Sequence, residues 1–172
     1  MIVMTWYSLL IGAVAIERLA ELVVTNRNRA WSQAHGGIEF GAGHYRPMVA
    51  LHAALLVGCL VEPVALHRPF VAVLGWPMLA IALAAQGLRW WCIATLNHQW
   101  NARVIVIPGA ARITGGPYRF VPHPNYVAVI AEGLALPLVH TAWITALVFS
   151  ILNAFLLRTR ISIENAALAS LR

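Results

Sequence analysis

The side chains that could do chemistry gather in three places along this 172-residue chain. Residues 114–126 read T-G-G-P-Y-R-F-V-P-H-P-N-Y and hand a histidine, two tyrosines and an arginine to an apolar run that carries Glu132. Near the C-terminus Asn153, Leu157, Arg160 and Glu164 recur at four, three and four residues, which puts them on one face of a helix. Between residues 34 and 47 the string A-H-G-G-I-E-F-G-A-G-H-Y-R-P holds Glu39, His44 and Tyr45 among four glycines. Tyr118, Tyr126 and Glu164 offer aromatic faces and a carboxylate, which suit a cation, and Arg119 offers a guanidinium, which suits a carboxylate. No H-x-x-x-H pair and no cysteine partner accompanies the histidines, so no metal site is expected. A strand-G-x-G-x-x-G-helix pattern is missing as well, which excludes a soluble dinucleotide-type fold.

The elements that must position these groups are hydrophobic. The chain is 60% hydrophobic and 10% charged, against about 25% charged for soluble domains. It therefore reads as a single integral membrane domain over 1–172, all-α and polytopic. Lysine and aspartate are absent, and with abundant alanine this bias fits a high-GC bacterial genome. The net charge of +6 comes from arginines at the ends of apolar segments, without a basic run interleaved with aromatics, so topology accounts for it and nucleic acid does not. Cys59 and Cys92 lie inside apolar stretches and read as small core residues.

Five helical segments are expected. The first covers about 2–24, long enough to span at roughly 20 residues per crossing, with Arg18, Glu21, Thr25 and Asn28 on one stripe that must face protein. Residues 26–46 form a polar connection of the length often used for a lid or binding loop. The second and third segments cover about 47–66 and 70–96, which makes residues 1–96 a three-span part. Gln86, Arg89, Ile93 and Asn97 form a second stripe, from which Arg89 can pair with a carboxylate of the first helix, and Trp90, Trp91 and Trp100 form an interfacial belt. Residues 97–122 leave the hydrocarbon, broken by proline and glycine. A fourth segment, about 124–136, starts with Pro124 in a first turn that tolerates it, and its buried Glu132 needs a partner. A tight turn at 137–141 leads to a fifth segment over about 143–157. Both arms are short for a full crossing, so a helical hairpin is expected, followed by a cytosolic C-terminal helix.

Arginine counting orients the chain. Arg27, Arg29 and Arg46 precede the second segment, Arg103, Arg112 and Arg119 the fourth, and Arg158, Arg160 and Arg172 follow the fifth. All nine fall on one side after five crossings, and by the positive-inside rule that side is cytosolic. The expected placement is a bacterial inner membrane, with the N-terminus outside, the C-terminus inside and the polar motifs open to the cytosol.

Taken in order, T-G-G-P-Y-R-x-x-x-H-P-N-Y, the preceding N-x-x-W-N-x-R-V and the terminal R-I-x-x-E-N-x-A-L resemble the isoprenylcysteine carboxyl methyltransferase family, closest to its bacterial branch. E-R-L-x-E-L, G-G-x-E-x-G-x-G-H-Y and L-R-W-W-C-I-x-x-L extend the similarity over nearly the whole chain. The resemblance implies S-adenosylmethionine (SAM) as methyl donor and a site between a cytosolic cofactor pocket and an opening to the bilayer. It makes residues 97–172 the cofactor-binding and catalytic part. Carried over position by position, it places His123, Pro124 and Tyr126 at the cofactor and Gly116, Pro117 and Tyr118 in the adjoining wall, and it makes Arg160 and Glu164 the charged pair that closes the site. Asn165 stands where the family pattern has a second glutamate, and Pro122 where an arginine commonly precedes His-Pro. A sulfonium with a zwitterionic tail suits Tyr118, Tyr126, Glu164 and Arg119 by type.

Bacterial relatives are associated with O-methylation of alkyl-resorcinols and alkyl-pyrones, which implies a lipophilic phenol or enol that enters from the bilayer. A phenol with a pKa of about 10 costs about 4 kcal/mol to ionise at pH 7, so a base is needed, and His44 or Glu39 is the expected one. Carboxyl methylation of an isoprenylcysteine-like acceptor is the alternative, in which Arg160 need only position an ion. An NADPH-dependent membrane reductase and a non-enzymatic scaffold are more distant readings.

Overall fold

The computed structural model describes residues 2–170, with side chains from residue 4 to residue 169. Arg172 of the arginine count lies outside the described residues. Among them, five helices carry most of the chain: α1 (Ile2–Ala34), α2 (Tyr45–Ala65), α3 (Ala72–Leu96), α4 (Pro124–Leu138) and α5 (Trp143–Ser170). Two strands, β1 (Ile38–Phe40) and β2 (Val104–Val106), pair antiparallel with Glu39 opposite Ile105. The protein is all-α and membrane-like, and Ala42–Ala65, Ala72–Gln99 and Trp143–Ala169 are each long and apolar enough to cross a bilayer.

The helices pack around Tyr7 and Ile11 of α1, Leu55 and Cys59 of α2, Leu136 of α4 and Phe149 of α5. The Tyr7 hydroxyl, carried into this apolar region, donates to the Leu136 carbonyl at 3.0 Å, so its burial leaves no donor unpaired. At one end of the bundle Glu62 of α2 accepts from the backbone N–H groups of Ile144 and Thr145 at 3.1 and 2.7 Å. A carboxylate at a helix N-terminus satisfies orphan donors and complements the dipole, so this contact ties α5 to α2. The opposite end holds the ribbon, the 3-10 turns and the chemistry-bearing loops.

Two expectations change. The first helix continues to Ala34, so the connection thought to occupy 26–46 shrinks to a short glycine-rich strap that contains β1. Thr25 and Asn28 lie on the buried face expected of them, and Ser32 carries that face one turn further, while Asn28 donates to the carbonyls of Asn97 and Trp100 at 2.9 and 2.8 Å. The fifth segment is no short arm. Trp143–Ser170 is one helix of 28 residues that runs on through Arg160 and Glu164, as their spacing with Asn153 and Leu157 required, and Trp143–Ala169 is long and apolar enough to cross a bilayer. Only α4 stays short at 15 residues, and it forms the expected hairpin with α5 across the turn that follows Leu138. Within the stretch that leaves the hydrocarbon, the β-branched run at 104–106 forms the second strand of the ribbon.

Charged groups inside the bundle find the partners they require. Glu132 of α4 accepts from Arg18 of α1 at 2.9 Å, Arg18 also holds Glu21 at 2.8 Å, and Arg89 of α3 donates to Glu21 at 2.9 Å. Breaking such a pair in a low-dielectric interior costs about 3–5 kcal/mol, because a buried charge is left uncompensated. The network therefore locks α1, α3 and α4 together.

Candidate active site where two cavities meet

Short irregular elements build the first cavity. Asn97, with φ of 48°, ends α3 and turns the chain out. The Gly116–Arg119 3-10 turn then packs back against α3, and Pro124 starts α4 with a ring fixed in helical φ at a position that needs no N–H donor. Gly116 sits at φ of 53°, and a Cβ there would lie 2.4 Å from Thr95 Oγ1, so this close approach requires glycine. The space enclosed is about 310 Å³ and is faced by Trp100, Arg103, Arg112, Tyr118, His123 and Glu164.

Long helices build the second cavity. It holds about 340 Å³ and is mainly apolar, with Leu19 and Leu22 of α1, Val49 and Leu56 of α2, Val129 of α4 and Leu157 of α5 in its wall. Three residues, Trp100, Asn125 and Arg160, line both cavities. Asn125 Oδ1 is buried there without a hydrogen-bond donor.

A relay of polar contacts runs through this junction. Arg160, 7% exposed, donates from Nε to the Tyr126 hydroxyl at 2.8 Å, and that hydroxyl donates in turn to Glu164. Arg160 and Glu164, one turn apart on α5, are thus joined through Tyr126. Arg160 Nη1 lies 2.9 Å from Met48 Sδ at the edge of the apolar cavity. His123 Nδ1 stands 3.5 Å from Glu164 Oε1, and its Nε2 is 3.3 Å from Asn165 Oδ1. The Glu164 carboxylate favours the imidazolium and raises the His123 pKa from its ordinary value. Burial pushes the Tyr118 phenol up, so it stays a neutral donor at neutral pH.

Of the residues singled out in the sequence, Tyr118, His123, Tyr126, Glu164 and Arg160 face the polar cavity. Pro124 is buried at the start of α4, while Gly116 and Pro117 shape the turn behind the wall. Arg119 is exposed and lies over the Phe120 ring, 5.2 Å from its centre, and it does not line the cavity. Its expected neighbourhood is supplied by Arg112 and Arg103, which do. His44 lines the apolar cavity, and its Nδ1 is buried without a partner. Gly41, at φ of 61°, makes room for that ring, since a Cβ there would lie 2.8 Å from it. Glu39 is drawn away from both cavities and holds Arg103 at 2.6 Å and Arg29 at 3.2 Å. Trp100, Arg112 and Asn125 escaped the sequence reading. Asn125 carried a signal, as the one polar side chain between His-Pro and Tyr; Trp100 looked like a membrane-belt tryptophan.

Residues 78–170 match the profile of the isoprenylcysteine carboxyl methyltransferase (ICMT) family. The match spans more than half of the chain and includes every residue that faces the polar cavity except Ser32. The chain belongs to this family. Family members are membrane methyltransferases that take their methyl group from SAM. The uncharacterised protein YpbQ of Bacillus subtilis (strain 168) is 36% identical over 161 residues, which cover 93% of this chain and 95% of that one. No solved structure matches the chain. The ICMT match leaves α1 and α2 outside its bounds, so the helices that supply much of the apolar cavity are the part the family profile says least about.

Proposed function

We propose that the protein is a SAM-dependent O-methyltransferase that takes a lipophilic phenol or enol, of the alkyl-resorcinol or alkyl-pyrone kind, from the bilayer. The observation that carries this reading is the meeting of a polar and an apolar cavity at Trp100, Asn125 and Arg160. A charged, water-soluble donor and a hydrophobic acceptor need opposite surroundings and one shared point, and this geometry provides both.

The polar cavity suits SAM. Its volume falls within the roughly 300–1,000 Å³ of small-molecule sites, and Glu164, Tyr118 and Tyr126 present a carboxylate and aromatic faces to a cation while Arg112 and Arg103 can take the carboxylate tail. When bound, SAM supplies the methyl group: its S–CH₃ bond breaks as the O–CH₃ bond forms, and S-adenosylhomocysteine is left. The chain's own work is placement and proton removal. Tyr126 holds Glu164 and Arg160 in fixed relation, and in-line placement supplies much of the acceleration in a transfer of this type. Arg160 and Asn125 stand where the acceptor oxygen must arrive, and the guanidinium favours its ionised form. His44 is the base: its imidazole, in the wall of the apolar cavity, takes the acceptor proton. Glu39 has the lesser part of fixing Arg103. The site faces the cytosol of a bacterial inner membrane, in keeping with Arg27, Arg29, Arg46, Arg103, Arg112 and Arg119 at the same end of the bundle.

The test is transfer of labelled methyl from SAM to a long-chain alkylphenol by purified protein in lipid vesicles. Label in the extracted ether, reduced at least tenfold by His44→Ala with a changed pH profile, is the expected result. Methylation of a prenylcysteine carboxylate with no activity on phenols would move the acceptor to the carboxylate class, where Arg160 alone positions the ion. No transfer to either class would overturn the enzyme reading.

A further inference from the structure

Asn153 of α5 takes no part in the chemistry at the junction of the cavities. It shares a helix face with Arg160 and lies two turns deeper in the bundle, since seven residues at about 1.5 Å each set the two about 10 Å apart along the axis. Asn153 is 3% exposed and lines the apolar cavity. Its amide has no hydrogen-bond partner among the described residues, yet neither the amide oxygen nor the nitrogen is sealed from contact, so both open into the cavity. An amide left unpaired in apolar surroundings is costly, and a ligand that meets it regains the missing bonds.

His52 of α2 lines the same cavity at about that depth. Its ring stands edge-on to Phe149, one turn from Asn153 on α5, with ring centres 5.4 Å apart. The Met48 carbonyl lies 2.8 Å from His52 Nδ1 and only accepts, so Nδ1 carries the proton and Nε2 of the neutral ring is left as an acceptor. Nε2 also has no partner among the described residues and is not sealed off. The charged side chains of this cavity wall, Arg18, Glu21 and Arg89, hold one another, so the free polar groups at this depth are neutral.

A lone pair beside an amide selects its ligand. A hydroxyl donates to His52 Nε2 and accepts from Asn153 Nδ2 at once. A carbonyl or ether oxygen meets the amide but brings no proton for Nε2, and a carboxylate sets its charge against that lone pair. We infer that His52 and Asn153 form a hydroxyl-binding site for the tail of the acceptor, about 10 Å below the oxygen that is methylated. That separation is too long for a second oxygen on the same ring, so the hydroxyl belongs to the chain, and the substrate class becomes lipids hydroxylated partway along the tail. Leu19, 63% exposed in the cavity wall, leaves the rest of the tail a way to the bilayer. This inference rests on the apolar cavity being the acceptor site.

Three 3-alkylphenols of equal chain length test it, with one chain hydroxyl beside the ring, at mid-chain or at the far end, so that their overall polarity is matched. In the wild-type protein the expected kcat/KM is about tenfold higher for the mid-chain isomer than for the other two, and the mid-chain ketone loses most of that advantage. In Asn153→Leu and in His52→Phe, each close to the original in size, the ratio between isomers falls towards one. SAM binding by calorimetry reports whether the variants are folded; if they are not, the wild-type isomers and the ketone decide alone. Equal use of the three isomers by wild-type protein, the result if the pair holds only water, would overturn the inference and leave the methyltransferase reading intact. A mid-chain preference that survives in both folded variants would overturn it as well. SAM binding with no transfer to any of these phenols would instead remove the phenol reading, and this inference with it.

Discussion

The two cavities differ less in size than in what builds them, about 310 against 340 Å³. The polar one is made from turns, a strand and helix ends, where each residue is held by a specific contact such as Tyr126 between Arg160 and Glu164. Helix flanks form the apolar one, and many of its wall residues could be exchanged for others of similar volume. With the donor proposed for the polar cavity and the acceptor for the apolar one, the difference is a division of tolerance: the former holds fixed geometry, while the latter can be changed by trimming or filling a helix-lined space.

Arg160→Ala should test that division most severely. Removing the guanidinium shared by both cavities takes away the relay to Tyr126 and the charge near the acceptor oxygen, and kcat for methyl transfer should fall at least about 100-fold. A smaller and one-sided loss is expected from Ala53→Phe. Ala53 lines the apolar cavity and is exposed on the bundle surface, so the larger ring should lower kcat/KM for a long-chain acceptor about tenfold and leave the SAM dissociation constant within about twofold. If the donor constant moved with it, the cavities would not be separable.

Gly116→Ala probes the opposite side. With φ of 53° and Thr95 Oγ1 at 2.4 Å from the added Cβ, overpacking should cost roughly 1–3 kcal/mol and lower the unfolding temperature in detergent by about 3–8 °C. The smallest expected effect is on pH. His123 has a raised pKa in the folded protein, so its ion pair with Glu164 contributes stability that is present in full below the unfolded value near 6.5 and is lost as pH rises through the folded pKa. Between pH 6 and pH 9 the unfolding temperature should fall by about 1–2 °C more in wild type than in His123→Gln.

How much could be read in advance follows the same division. The 114–126 motif and the Arg160/Glu164 spacing carried the polar cavity, because each residue type there answers to one contact. Arg89 with a carboxylate of the first helix, and a partner for Glu132, were expected from burial of charge, and the partners are Glu21 and Arg18. Arg119 misled because neighbourhood in sequence stood for neighbourhood in space; the 3-10 turn carries it outward, and Arg112 occupies the cavity wall. The stripe through Thr25 and Asn28 was legible, but the run of α1 on to Ala34 was not, because the polar residues after Asn28 lead into a glycine-rich string and only the burial of Ser32 shows that the face continues. The apolar cavity itself left almost no trace, since alanine, leucine and valine on a helix read alike whether they pack or line a void.

Calorimetric titration of the detergent-purified protein with SAM and with NADPH decides whether the polar cavity is a SAM site. Saturable SAM binding is expected, weakened at least tenfold by Glu164→Gln, which keeps shape and removes the charge beside Tyr126 and His123. Binding of NADPH in place of SAM, or of neither ligand by folded protein, would contradict it.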